Sequence, residues 1–178
     1  SVSLDSTLKL WDVTTAKYHS VSLECPSVSH TIIDGTFVIA SCTKSIFQCD
    51  PKDPVAASIE TSEIITAIQQ TELGLLIGTD TGKLLMIDPR MWKPYQSIQL
   101  SPAFLPISKI SGFSEVTVTC FDGVVRSIGS ELPLFVAKEY VRAPTMGSII
   151  GSCSISIASK DDFVVSGSTE GKAISWSK

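Results

Sequence analysis

The chain has 178 residues, of which 43% are hydrophobic and 18% charged, a balance typical of a folded domain and not of a disordered segment. Its formal net charge is −4 and no two basic residues are adjacent, which disfavours a surface that follows nucleic-acid phosphates. No apolar run reaches the roughly 20 residues that a membrane-spanning helix needs.

The first predicted element sets a pattern that returns along the whole chain. The stretch SLDSTLKLWD, at 3–12, indicates a turn and a strand that ends on a Trp-Asp pair. Equivalent strands end at the pairs Cys49-Asp50, Ile87-Asp88, Ile128-Gly129 and Trp176-Ser177. The first members of the five pairs are 38, 38, 41 and 48 residues apart, and a period close to 40 indicates a repeat array.

The turn before each of these strands repeats as well. Five residues before the Trp-like position, the sequence has Ser6, Lys44, Gly82, Gly123 and Gly171. Glycine suits a tight turn because it adopts a positive φ without a Cβ clash.

Each repeat also contains three further predicted strands. One precedes the turn, as in LLIGT at 75–79, and another precedes that one, as in IITAIQQ. A fourth follows the Asp position, at 18–23, 55–60, 95–100 and 134–141. No amphipathic helix is predicted. Four short antiparallel strands in about 40 residues predict an all-β fold made of β-propeller blades.

This pattern resembles the WD-repeat family over essentially the whole chain. SLDSTLKLWDV matches the family motif closely, whereas the other repeats are degenerate and lack the Gly-His dipeptide that usually opens a repeat. The resemblance implies that Trp11 and Trp176 pack between blades. It also implies that the acidic residues of the pair cap turns: Asp12, Asp50 and Asp88.

The repeat boundaries predict one partial propeller. We expect the end of one blade at 1–12 and four fuller blades at about 18–50, 55–88, 95–129 and 134–177. The resemblance implies a ring that most commonly has seven blades. We therefore expect the C-terminal portion of a longer propeller, with the remaining blades supplied by the rest of the same chain or by a partner.

No pattern in the sequence predicts an active site, a cofactor or a metal. The Gly-rich stretches GTDTGK and GSTEGK lack phosphate-loop spacing and coincide with the predicted turns. The five cysteines show no zinc spacing, so we interpret them as reduced core thiols, with a Cys42–Cys49 disulfide as the alternative.

Two connecting segments carry residue types enriched in protein interfaces. The segment 88–95 contains Arg90, Met91, Trp92 and Tyr95. The segments 101–106 and 140–147, expected on the opposite face, contain Phe104, Leu105, Tyr140, Arg142 and Met146. These nine residues are the candidate protein-binding residues. The alternative is that their aromatic side chains fold back onto their own blades.

The resemblance implies a non-catalytic scaffold that binds other protein subunits in a multi-protein complex of the cytoplasm or nucleus. The acidic charge balance disfavours direct binding of nucleic acid. One alternative is a receptor for a peptide motif or substrate on one face of the propeller. Another is an enzyme or small-molecule sensor that uses the central channel, where the first strands offer mainly Ser, Thr, Ile and His30.

Overall fold

The computed structural model describes residues 1–23, 26–33, 36–41, 44–50, 53–88, 90–140, 154–160, 163–168 and 171–177. These residues form seventeen strands in five antiparallel sheets, and no helix is present in this part of the chain. The predicted all-β class is confirmed. In the described residues the sheets do not close into a ring. The same residues contain no helix that could span a membrane.

The five sheets follow one another along the chain. The first contains β1 (Thr7–Asp12) and β2 (Lys17–Ser22). The second contains β3 (Ser27–Ile33), β4 (Thr36–Ser41), β5 (Ser45–Asp50) and β6 (Asp53–Glu60). The third contains β7 (Ile65–Thr71), β8 (Gly74–Thr79), β9 (Lys83–Asp88) and β10 (Lys93–Gln99).

The last two sheets repeat this order. The fourth contains β11 (Ile107–Ser111), β12 (Val116–Cys120), β13 (Val125–Ile128) and β14 (Val136–Tyr140). The fifth contains β15 (Ser154–Lys160), β16 (Phe163–Ser168) and β17 (Ala173–Ser177). Contacts between the first strands of neighbouring sheets, β3 with β7, β7 with β11 and β11 with β15, hold the sheets side by side.

Apolar side chains fill the spaces between neighbouring sheets. Leu8 and Phe47 join the first sheet to the second, and Ile46 and Ile87 join the second to the third. Met86 packs in the cluster shared by the third and fourth sheets. Since strand side chains alternate between the two faces, each sheet can contribute to both neighbouring cores.

Tight turns join consecutive strands of the same sheet. Gly82, Gly123 and Gly171 have φ angles of 75°, 80° and 73°. Asp12 accepts hydrogen bonds from the Thr14 amide (2.9 Å) and the Thr15 hydroxyl (2.6 Å). The Thr15 hydroxyl is the main reason that the pKa of Asp12 lies below its ordinary range. The side chain of Asp50, which ends β5, lies outside the described part.

The hydrogen-bonded sheets are offset by one strand from the predicted blade intervals 18–50, 55–88, 95–129 and 134–177. The full four-stranded sheets run over 27–60, 65–99 and 107–140. The strand that follows each Asp or equivalent position pairs with the strand before it and not with the strands that follow. In the first sheet this places Lys17 directly opposite Asp12.

The two repeat tryptophans differ in burial. Trp176 is half-buried and packs against the cluster formed by Val125, Tyr140, Ile157 and Val164 of the fourth and fifth sheets. Trp11 is 52% exposed and contacts Tyr18 of its own sheet, with ring centroids 4.9 Å apart and the ring planes tilted by 46°. Trp176 thus packs between two sheets as expected. Among the described residues, Trp11 contacts only its own sheet and does not match that expectation.

Candidate functional site

The ends of the strands form two faces. One, named here the connector face, carries the segments that join consecutive sheets and the turns between the second and third strands. Residues 61–64, 80–82, 101–106 and 121–124 lie on it. The turns between the first and second strands, and between the third and fourth, lie on the opposite face, with residues 72–73 and 90–92 among them.

The connector 101–106 is held in one conformation by hydrogen bonds. Buried Ser101 accepts the Phe104 amide at its carbonyl oxygen (3.1 Å) and the Leu105 amide at its hydroxyl oxygen (3.2 Å). The Gln99 side-chain amide donates to the carbonyl oxygens of Thr81 (2.8 Å) and Ser101 (2.9 Å). These bonds tie the connector to its own sheet.

Gly82 provides the seat on which this connector rests. Its carbonyl oxygen accepts the amides of Leu100 (2.9 Å) and Ser101 (3.3 Å). A Cβ at Gly82 would lie 2.5 Å from the Leu105 carbonyl oxygen, closer than real Cβ contacts come. The backbone of the connector can therefore approach only because residue 82 has no side chain.

Apolar side chains project from the connector to solvent. Phe104 has a φ of 55°, a left-handed conformation uncommon for a bulky residue, and its side chain is 66% exposed. Leu105 is 38% exposed. The Phe121 amide donates to the Pro106 carbonyl (2.9 Å), which brings a third exposed apolar residue beside them. Phe104, Leu105 and Phe121 are named here the connector patch.

A buried ionic network supports the turn that carries Phe121. The Arg126 guanidinium, 3% exposed, donates to both carboxylate oxygens of Asp122 (2.8 and 3.2 Å) and to Glu139 (2.8 Å). Burial lowers the pKa of Arg126, but the bonds to Asp122 and Glu139 outweigh it and raise that pKa. Asp122 also accepts the Val124 amide (3.0 Å), so the guanidinium fixes the turn directly after Phe121.

A second surface lies on the outer rim, where the turn formed by Asp88 and residues 90–92 meets the space between the second and third sheets. Asp88 accepts the Arg90 amide at its side chain (2.8 Å) and the Trp92 amide at its carbonyl oxygen (2.7 Å). Trp92, with a φ of 54°, is half-buried and packs against the cluster that contains Ile87.

A groove of about 830 Å³ runs beside this turn and is named here the rim groove. Its lining includes Glu60, Glu63, Lys83, Leu85, Trp92 and Lys93. Lys83 forms an ion pair with Glu63, which also accepts the Thr81 hydroxyl (2.6 Å). Burial raises the pKa of Glu63, but the bonds from Lys83 and the threonine hydroxyls outweigh it and lower that pKa.

The described residues offer little for catalysis. Cys120 is buried, and burial raises the pKa of its thiol to about 12, so it stays protonated and weakly nucleophilic at neutral pH. His30 lies on the first strand of its sheet. Partial burial, followed by the positive charges of the N-terminal amine and Lys109, lowers its pKa below 6.5. Within the described ranges, no cluster of His, Cys, Asp or Glu could hold a metal ion.

Comparisons with solved structures identify the fold. The chain aligns over 99% of its length with the β-propeller domain of Cps50 (Swd1) from Myceliophteria thermophila, with 18% identity, a TM-score of 0.78 and coverage of 64% of that chain. The chain aligns over 98% of its length with Raptor from Chaetomium thermophilum, with 14% identity, a TM-score of 0.76 and coverage of 18% of that chain. It aligns over 99% of its length with Saccharomyces cerevisiae Sqt1, with 15% identity, a TM-score of 0.76 and coverage of 54% of that chain. The fold is that of a WD-repeat β-propeller.

This propeller spans between 18% and 64% of the length of those structures. At such low identity the likeness shows the fold alone. No family model matches the chain. No curated protein matches its sequence.

The propeller places the predicted binding residues in different environments. Met91 (65% exposed), Tyr95 (49%) and Arg90 face solvent, and Phe104 and Leu105 form most of the connector patch. The segments 88–95 and 101–106 lie at opposite ends of strand β10. Arg142 and Met146 lie outside the described residues.

Tyr140 does not face solvent. Its side chain is 6% exposed, and its ring lies 6.0 Å from that of Trp176. As the last residue of β14, directly opposite Val125, it points into the space between the fourth and fifth sheets. Tyr140 therefore belongs to the core, which corrects the sequence-based interpretation of this residue as part of an exposed binding surface.

Phe121 was not among the predicted binding residues. The only available signal was its position in CFDG, between a predicted strand and a turn glycine. Its neighbour Asp122 suggests a turn, and turns lie at the surface.

Proposed function

We propose that this propeller is a non-catalytic scaffold that binds other protein subunits in a multi-protein complex of the cytoplasm or nucleus. The observation that carries the proposal is the connector patch, in which apolar side chains are held exposed on a rigid support. The net charge of −4 makes nucleic acid a poor partner, in keeping with recognition of protein.

The conformation of Phe104 favours a binding role for the patch. A left-handed bulky residue costs of the order of 1–3 kcal/mol, and such strain persists where the surrounding structure imposes it. Here the hydrogen bonds to Ser101 and the close approach of the Leu105 carbonyl to Gly82 impose this conformation. The result is an aromatic side chain that loses little conformational entropy when a partner covers it.

The exposed ring also has no folding role that would explain it. A phenylalanine 66% exposed contributes little burial, yet it stands beside exposed Leu105 and Phe121. Exposed apolar residues on neighbouring loops that are held by a rigid scaffold are typical of a protein-binding surface.

Site-specific photo-crosslinking in the native cell tests the proposal on the full chain. A benzophenone amino acid at position 104 is expected to give discrete adducts with one or a few proteins. The same probe at Thr14 serves as the control, because this residue is exposed in the β1–β2 turn on the face opposite the connector face. Adducts absent at position 104, or identical from the two positions, would contradict the proposal.

A matched variant distinguishes the contribution of the Phe104 ring to binding from that of the loop backbone. Phe104→Asn removes the ring, while asparagine tolerates a left-handed backbone better than most residues. We expect the variant to fold normally and to lose the adducts formed by a probe at position 121. Adducts that persist at position 121 would show that the ring does not contribute to binding.

A further inference from the structure

The rim groove follows the outer strands from one face of the propeller to the other. Strand β9 starts at Lys83 on the connector face and ends at Asp88 on the opposite face, where β10 begins at Lys93. At roughly 3.4 Å per residue, the six residues of β9 span about 17 to 20 Å. This length matches five or six residues of an extended peptide.

The groove changes in chemistry along this direction. At the connector face it contains two carboxylates, Glu60 and Glu63, against the single ammonium group of Lys83. Between the two ends the lining combines Leu85 and Ile87 with the polar Gln96 and Ser97, and the Trp92 indole lies toward the opposite face. At the opposite face the exposed Lys93 supplies positive charge.

The Trp92 side chain is positioned before any partner binds. The two hydrogen bonds to Asp88 hold the turn, in which Trp92 has a left-handed φ of 54°. The indole packs against the Ile87 cluster and remains partly accessible. A half-buried tryptophan beside apolar groove walls is the kind of residue that dominates binding energy in protein interfaces.

We propose that the rim groove binds an extended peptide segment of a partner protein. In this segment a large apolar residue contacts Trp92, a basic residue lies at the Glu60 end and an acidic residue lies at the Lys93 end. The inference rests on the proposed scaffold function and adds a second surface with a stated partner chemistry. The charge complementarity selects a peptide with opposite charges at its two ends.

Recognition here works through side chains and not through addition of a strand to the sheet edge. The start of β10 carries Lys93, then Pro94, which has no amide hydrogen, and then a register shift between Pro94 and Gln96. A lysine, a proline and a bulge on an edge strand are features that prevent another strand from pairing there. The groove beside this edge is left as the route for a peptide.

Selection from a random heptapeptide phage library on the purified chain tests the inference. We expect enriched sequences with a large apolar residue between one basic and one acidic residue. In a fluorescence polarisation titration, Trp92→Gly should weaken the enriched peptide about tenfold or more, since glycine keeps the positive φ but removes the indole. Selection without such a consensus, or a peptide that binds Trp92→Gly equally well, would overturn the inference.

An exposed charge reversal gives a second test that does not depend on a core contact. Lys93→Glu should weaken the enriched peptide about tenfold, and replacing the acidic residue of the peptide with lysine should restore binding to this variant. A peptide indifferent to both changes would contradict the proposed orientation in the groove.

The Phe104→Asn variant distinguishes the two proposals. We expect it to bind the enriched peptide within about twofold of the unchanged chain, because the connector patch and the rim groove are separate surfaces. If photo-crosslinks from position 104 are found but no groove peptide is, the scaffold function stands and the rim-groove inference fails. If groove peptides are found and those crosslinks are not, the connector patch is excluded as the interaction surface.

Discussion

Trp11 and Trp176 hold the same repeat position but contribute differently to stability. Trp176 packs against Tyr140 of the neighbouring sheet, and its indole N–H donates to the Ser166 hydroxyl (3.4 Å). Trp11 contacts Tyr18 within its own sheet, and its indole N–H donates to the Ser1 hydroxyl (3.2 Å). Only the contacts of Trp176 join two sheets.

We expect Trp176→Ala to lower the free energy of unfolding by about 2–4 kcal/mol, because it opens space between two sheets. Trp11→Ala should lower it by about 1 kcal/mol or less, since half of that side chain already faces water. Urea denaturation of the two variants measures the difference. Equal losses would mean that Trp11 is covered in solution by a surface that the described residues do not supply.

The Arg126 network is the most buried set of charges among the described residues. Arg126→Met would leave the Asp122 carboxylate, 13% exposed, without its bidentate partner. Because an unpaired buried charge is costly, we expect a loss of about 2–4 kcal/mol in the free energy of unfolding. Lys17→Met, at an exposed lysine, is the control and should change it by less than about 0.5 kcal/mol. A stability equal to that of the control would show that solvent already screens the Asp122 charge.

At the level of turns and connectors, Gly82 and Gly171 form a matched pair. Their φ angles are nearly equal, at 75° and 73°, but a Cβ at Gly82 would meet the Leu105 carbonyl at 2.5 Å, while a Cβ at Gly171 would meet no atom within 4 Å. Alanine at either position adds the strain of a left-handed residue, about 1–2 kcal/mol. Only Gly82→Ala also pushes the connector away.

We therefore expect Gly82→Ala to be more destabilising than Gly171→Ala by about 1–3 kcal/mol and to reduce photo-crosslinking from position 104. Gly171→Ala should leave those crosslinks unchanged. Thermal unfolding and the crosslink yield measure the two effects separately. If both variants lose stability equally and keep the crosslinks, the connector does not depend on its seat at Gly82.

Strand positions and turns could be predicted from the sequence because they depend on local chemistry. The glycines of the turns and the largely β-branched and aromatic runs of strand length predict strands in the right order, including β8 and β12. The side chain orientations of Tyr140 and Trp92 could not be predicted in this way. The orientation of Tyr140 depends on which face of β14 meets the next sheet, and a shift of one residue reverses that face. The orientation of Trp92 depends on the left-handed turn before β10 and on the cluster between the second and third sheets. The rim groove arises between two sheets, so no single segment indicates it.

At the scale of the whole molecule, stability should vary from sheet to sheet. In a repeat fold each unit is stabilised by its own strands and by its immediate neighbours. The third sheet has a packed neighbour on both sides, and Leu75, Leu76 and Ile77 of β8 have no exposed surface. The first sheet has two described strands, of which β2 contributes one buried side chain, Val21.

We expect hydrogen exchange to follow this order. Backbone amides of β8 should exchange about 100-fold more slowly than those of β2, which corresponds to a difference of about 3 kcal/mol in the free energy of opening. Hydrogen–deuterium exchange with mass spectrometry measures this on the intact chain. Protection in β17 provides an internal comparison, since its sheet packs against the fourth. Equal protection of β2 and β8 would show that the sheets open as one cooperative unit, because sheet-by-sheet opening requires β2 to exchange first.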